Sequence, residues 1–135
     1  MTDGPLLIDT HVWWWWENGI KGEISPAAAR RIEAAERDFV LRISAISVWE
    51  IGMLDSKGRL IALPDALTWV RRALAVPGRA LVSLSPEIAI MSTRLPDAPV
   101  ADPIDRILLA TARVENMTLV TSNARITAYD VPVLW

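Results

Sequence analysis

Leu6–Leu7–Ile8–Asp9–Thr10 is a run of three apolar residues closed by an acid. Such a run fits a short buried strand. The acid then falls at the strand's carboxyl end, where open α/β sheets receive their ligands. Glu50, Asp105 and Asn123 can be carried to the same edge if the sheet is parallel.

Working outward, strands and helices alternate. Thr10 or His11 opens a helix through Trp13, Trp14, Trp15 and Trp16, and Asn18–Gly19 ends it. Ser25–Pro26 is a cap followed by proline at the first helical position, and residues 27–37 continue that helix. Residues 39–43 are rich in β-branched and aromatic types and predict a second strand. A helix follows over about 45–54, closed near Gly58. Another, opened by Leu63–Pro64, runs over 65–75 until Pro77–Gly78 breaks it. Residues 80–84 predict a third strand, and Ser85–Pro86–Glu87 starts a short helix to about Leu95. A turn-rich linker over 96–101 leads into a helix from Asp102–Pro103 to about Glu115. That helix has little polar face and is expected to be buried. Residues 119–121 predict a fourth strand and 131–134 a short fifth, while 1–5 form a loose lead-in. The expected fold is α/β: a three-layer sandwich around a central, mainly parallel five-stranded sheet, with residues 1–135 as a single domain.

Composition narrows the function. With 52% hydrophobic residues, the chain can bury a core. Cysteine is absent, so disulfide frameworks and cysteine-based zinc sites are excluded. No signal peptide and no span of the roughly 20 apolar residues a membrane needs are seen, so a soluble cytoplasmic protein is expected. A net charge of −2 argues against a plain electrostatic nucleic-acid binder, but not against an enzyme whose acids bind a cation. No glycine-rich phosphate loop supports nucleotide-triphosphate chemistry.

Asp9 ends the first strand, Glu50 lies in the helix after the second, and Asn123 follows the fourth. Asp105 lies in the first turn of the helix before the fourth strand, and that turn faces the same rim. Carboxylates crowded there shift their pKa values or take up a cation. Oxygen ligands suit Mg²⁺ or Mn²⁺, and a metal so held can assist phosphodiester hydrolysis. Each residue also has a structural reading. Asp9 can cap the first helix, Ser47 and Glu50 can form a capping box, Asp102 can cap with Asp105 favoured by the helix dipole, and Asn123 can serve a turn.

At these residues the chain resembles a known family. Leu6–Leu7–Ile8–Asp9–Thr10–His11, Ser44–Ala45–Ile46–Ser47–Val48–Trp49–Glu50–Ile51, Asp102–Pro103–Ile104–Asp105–Arg106–Ile107–Leu108–Leu109–Ala110–Thr111–Ala112 and Leu119–Val120–Thr121–Ser122–Asn123 resemble the successive motifs of PIN domains. Together with Val131–Pro132–Val133–Leu134–Trp135 they are most similar to VapC-type toxins of toxin–antitoxin pairs. The resemblance implies an endoribonuclease dependent on Mg²⁺ or Mn²⁺, a homodimer, and inhibition by a cognate antitoxin protein. It implies that Asp9, Glu50 and Asp105 are the acidic metal-binding triad. Asn123 matches a fourth position that is often Asp, as a neutral ligand or hydrogen-bonder. Thr10 and Thr121 are then expected to orient carboxylates through their hydroxyls.

His11, the only histidine, is read as structural, since imidazole suits Mg²⁺ poorly. Arg106 and Arg125 flank the acids and are candidates to hold a substrate phosphate. Four consecutive tryptophans cover most of a helix circumference, so one face enters the core and another is left for an apolar groove that fits an antitoxin segment or a second copy. The alternative to a nuclease is a binding module of the same fold that lost turnover through Asn123 and works through its tryptophan surface. A haloacid-dehalogenase-like phosphohydrolase is disfavoured, because it needs Asp where His11 stands.

Overall fold

Leu6–Ile8 forms strand β1, and all three side chains are buried. The computed structural model of the chain describes residues 4–135, apart from the Lys21 side chain. The lead-in expected over 1–5 therefore lies mostly outside the described residues. β1 is the middle of a parallel sheet, flanked on one side by β2 (Leu41–Ser44) and β3 (Arg79–Val82) and on the other by β4 (Thr118–Val120) and β5 (Val133–Leu134). Leu6 lies opposite Leu41 and Thr118, and Ile8 opposite Ile43 and Val120. The order β3-β2-β1-β4-β5 reverses direction between β1 and β4. Such a switch point opens a crevice at the strands' carboxyl ends.

The helices are α1 (Thr10–Glu17), α2 (Pro26–Arg37), α3 (Ala45–Ser56), α4 (Ala66–Ala75), α5 (Pro86–Arg94) and α6 (Pro103–Val114), with 3-10 turns at Lys21–Glu23 and Ala124–Ala128. Side-chain caps fix their starts. Ser25 Oγ accepts from the Ala28 N–H at 3.1 Å, Asp65 from Thr68 at 2.9 Å, and Ser85 from Ile88 at 3.1 Å. Alternation along β1 feeds two cores. Leu6 and Ile8 pack with Val12, Trp13, Ile32 and Val70 on one face of the sheet. Leu7 packs with Leu108, Leu109, Ala112 and Leu119 on the other. The expected three layers are thus present, and the sheet is parallel throughout.

Several boundaries differ from expectation. The second strand starts at Leu41, because Phe39 takes φ 62° in the turn after α2 and is 66% exposed. The third strand runs from Arg79 to Val82 and stops short of Leu84, the fourth starts at Thr118, and the fifth is reduced to Val133–Leu134.

The tryptophan run is largely spent on packing. Trp13 is fully buried, and Trp69 of α4 meets both Trp13 and Trp14, with ring centroids 5.2 and 5.0 Å apart. Trp16 Nε1 donates to Glu36 at 2.6 Å. Trp15 and Trp16 still line an apolar hollow of 310 Å³ with Ile24 and Ala29. At the amino end of β3, the buried Arg79 side chain is held between Glu17 and Glu36 and also donates to the Ala73 carbonyl at 2.7 Å.

Candidate active site

β1 delivers Asp9 to the switch point. Its N–H donates to the Val120 carbonyl at 3.0 Å, which extends the pairing with β4 by one residue. Its carboxylate accepts from the Val12 N–H at 2.8 Å and so caps α1. The expected capping role is therefore real, and Asp9 lines the cleft as well. Asp9, Glu50, Asp105 and Asn123 all line one cleft of 290 Å³ at the carboxyl edge of the sheet, together with His11, Asp102 and Ser122.

Each acid arrives by a short route. β2 runs directly into α3, with Ser44 as its cap, accepting from the Ile46 N–H at 3.1 Å. The capping box expected between Ser47 and Glu50 does not form. Ser47 sits buried in the first turn and its hydroxyl accepts instead from Thr10 Oγ1 at 2.9 Å. Glu50 is thus left to the cleft. Asp102 caps α6 through the Ile104 N–H at 2.9 Å and lines the cleft as well. Asp105 follows one turn later on the same helix face. Asn123 accepts from the Arg125 N–H at 3.1 Å and caps the 3-10 turn.

The electrostatics are those of crowded acids. Burial pushes the Asp105 carboxyl up to about 6, helped by the negative charges of Asp102, Asp9 and Glu50 and opposed by His11. Burial also raises Asp9, against hydrogen bonds from the Thr121 side chain and the Val12 backbone. Thr121 Oγ1 meanwhile accepts from the Asn123 N–H at 3.1 Å, so one hydroxyl links the fourth position to the first acid.

Two expectations change here. Thr121 supports a carboxylate as expected, but Thr10 does not; its hydroxyl ties α1 to α3 through Ser47. Arg106 is not a phosphate ligand in waiting. Its guanidinium donates to four carbonyls, those of Ser92 (3.0 Å), Leu95 (2.6 Å), Pro96 (2.8 Å) and Val100 (3.0 Å). It braces the loop that leads to Asp102. Tyr129 adds to the brace, accepting from the Val100 N–H and donating to the Pro96 carbonyl, both at 3.0 Å. Ser122 was not singled out from sequence; Asp102, a second acid near Asp105 read chiefly as a cap, both caps α6 and lines the cleft. The spacing of Asp102 and Asp105 on one helix was the available signal for that second role.

The donor chemistry suits a hard divalent cation: carboxylates and an amide line the cleft, with no lysine or arginine among them. Among the described residues, no three acid or histidine side chains converge as a preformed metal cage. An ion here would keep part of its water shell, as Mg²⁺ commonly does.

A parallel sheet with an acid-lined switch point defines the class, and the comparisons agree. The PIN domain family matches residues 6–132, and the chain belongs to that family. It is 34% identical over 127 residues to Ribonuclease VapC22 of Mycobacterium tuberculosis, covering 94% of this chain and 93% of that protein. Among solved structures, the fold matches VapBC2 from Rickettsia felis bound to a DNA fragment of its promoter, with a TM-score of 0.73 and 16% identity over 96% of each chain. It also matches DNA-bound VapBC from Salmonella typhimurium, with a TM-score of 0.70 and 16% identity over 97% of each chain. Among the described residues, no helix is long and apolar enough to cross a membrane.

Proposed function

We propose that the chain is an endoribonuclease of the VapC kind, dependent on Mg²⁺ or Mn²⁺. In this reading it works in the cytoplasm as a homodimer and is neutralised by a cognate antitoxin protein. The observation that carries the reading is the gathering of Asp9, Glu50 and Asp105 into one cleft from three separate elements, with Asn123 beside them. The relationship to a named ribonuclease over nearly the whole chain supports the activity.

Asp9, Glu50 and Asp105 would hold the cation. When bound, it supplies Lewis-acid polarisation of the phosphate and a more acidic water. Thr121 fixes the Asp9 carboxylate, and the backbone N–H of Val12 holds one of its oxygens. Asn123 contributes an amide without adding charge, which limits the repulsion at the site. Without a cation, burial and the neighbouring acids raise the Asp105 carboxyl to about 6, and a bound cation would favour its ionised form.

Purified, antitoxin-free protein is incubated with a mixed RNA pool in Mg²⁺, Mn²⁺ or EDTA, beside Asp9→Asn. Metal-dependent cutting that the variant loses supports the assignment. Full activity in a folded Asp9→Asn chain, or no cutting by wild type with either metal, overturns it in favour of a binding module.

A further inference from the structure

A second groove of 640 Å³ adjoins the acid cleft and shares His11, Glu50 and Asp102 with it. Ile46, Met53, Ile104 and Ile107 give it an apolar lining from α3 and α6. Trp49, the neighbour of Glu50, lines it too and is 57% exposed. So do Lys57 and Arg59, at and just beyond the end of α3.

Trp49 is not needed by the core. The buried face of α3 is met by Ser47 and Ile51, and more than half of the Trp49 surface is left to solvent. Large apolar side chains so exposed mark contact surfaces when they stand together. The two cations are also uncommitted. Arg79 is held by carboxylates and Arg106 by carbonyls, but among the described residues neither Lys57 nor Arg59 has a side-chain hydrogen bond or ion pair. A polyanion approaching an acid-lined cleft is repelled unless positive charge lies along its path. Here that charge and an open aromatic face lie in one groove contiguous with the acids. Single-stranded nucleic acid is held by this pairing of aromatic platform and cationic track.

Resting on the ribonuclease reading above, we infer that this groove seats the RNA next to the cut phosphate. One base stacks on the Trp49 indole, and Lys57 and Arg59 take backbone phosphates.

The test uses a fluorescent ten-nucleotide single-stranded RNA of mixed sequence and the Asp9→Asn chain with Mg²⁺, so that binding is read without cutting. In that background Trp49→Ala weakens binding about 5- to 150-fold, and Trp49→Phe keeps most of the affinity. Lys57→Gln with Arg59→Gln makes the dependence of log affinity on log salt shallower by about 1.4. In the cutting-competent chain, Trp49→Ala raises KM far more than it lowers kcat. The inference is overturned if Trp49→Ala binds RNA as tightly as its parent and cuts with an unchanged KM. It is equally overturned if the substitution leaves RNA handling intact and abolishes self-association or antitoxin binding, which makes the groove a protein interface. Failure of wild type to cut any RNA sinks the nuclease reading instead, and the binding arm still decides the groove.

Discussion

Thr10 Oγ1 donates to Ser47 Oγ over 2.9 Å, and both residues are buried. Thr10 follows Asp9 and Ser47 precedes Glu50 by one helical turn, so this bond sets the spacing of two acids carried by the starts of α1 and α3. Thr10→Val leaves the Ser47 hydroxyl buried without its donor, at a cost of about 1–3 kcal/mol. The double variant Thr10→Val/Ser47→Ala removes both partners and costs less than the sum of the single changes. Urea melts of the four chains measure the coupling. The Mg²⁺ concentration for half-maximal cleavage rises in each variant.

Ionisation of Asp105 is unfavourable in the folded, metal-free chain, because burial and then its acidic neighbours raise its pKa to about 6. A carboxyl raised on folding contributes stability that is fully present below its unfolded pKa, about 4, and is lost as pH rises through the folded value. Melting in EDTA between about pH 4 and pH 7 shows this as a falling difference between wild type and Asp105→Asn. Asp9, raised by burial, acts in the same direction. Mg²⁺ restores stability above the Asp105 transition, since the ionised cleft is the form that binds a cation.

Arg106 tests the distinction between brace and phosphate ligand. Arg106→Lys cannot reach all the carbonyls that the guanidinium now serves, and it destabilises the chain by about 2 kcal/mol. Limited proteolysis opens first within residues 95–101. The salt dependence of RNA binding stays unchanged, whereas a phosphate ligand replaced by another cation at the wrong reach would change affinity without loosening the loop.

Gly78 packs against the end of α2 with φ 95°, and a Cβ there would lie 2.0 Å from the Glu36 carbonyl oxygen. Gly78→Ala therefore displaces backbone, not a flexible side chain. It costs at least about 1–3 kcal/mol from strain alone. At this chain length that lowers the melting temperature by about 3–5 °C per kcal/mol. Gly78 precedes β3, at the sheet edge away from the acids, so cleavage by the folded fraction is preserved.

What could be read from the chain followed from strong local signals. The apolar run before Asp9 and the proline-backed caps at Ser25 and Asp102 fixed element type and direction. Parallel topology then carried Glu50, Asp105 and Asn123 to one rim. The misreadings share a cause: a local pattern overruled by tertiary geometry. Phe39 has strand propensity, yet the chain must turn there to leave α2, so it takes a left-handed conformation. Ser47 and Glu50 match a capping box by spacing, but β2 enters α3 without a break and Ser44 already holds the cap. Arg106 stands beside an acid in sequence, while its partners are carbonyls of a loop folded back over α6. Long-range partners of that kind leave no mark in local spacing.

The central place of β1 has a consequence for how the protein is made. Its partner β4 begins only at Thr118, so Asp9 leaves the ribosome long before the strand that flanks it. Parallel pairing over that separation is slow to close. A nascent chain halted before β4 carries all three acids of the cleft, but it lacks the Val120 carbonyl that holds the Asp9 N–H, and Thr121 and Asn123 beyond it. Synthesis order thus delays the seating of Asp9 against its neighbours until β4 has emerged to flank it.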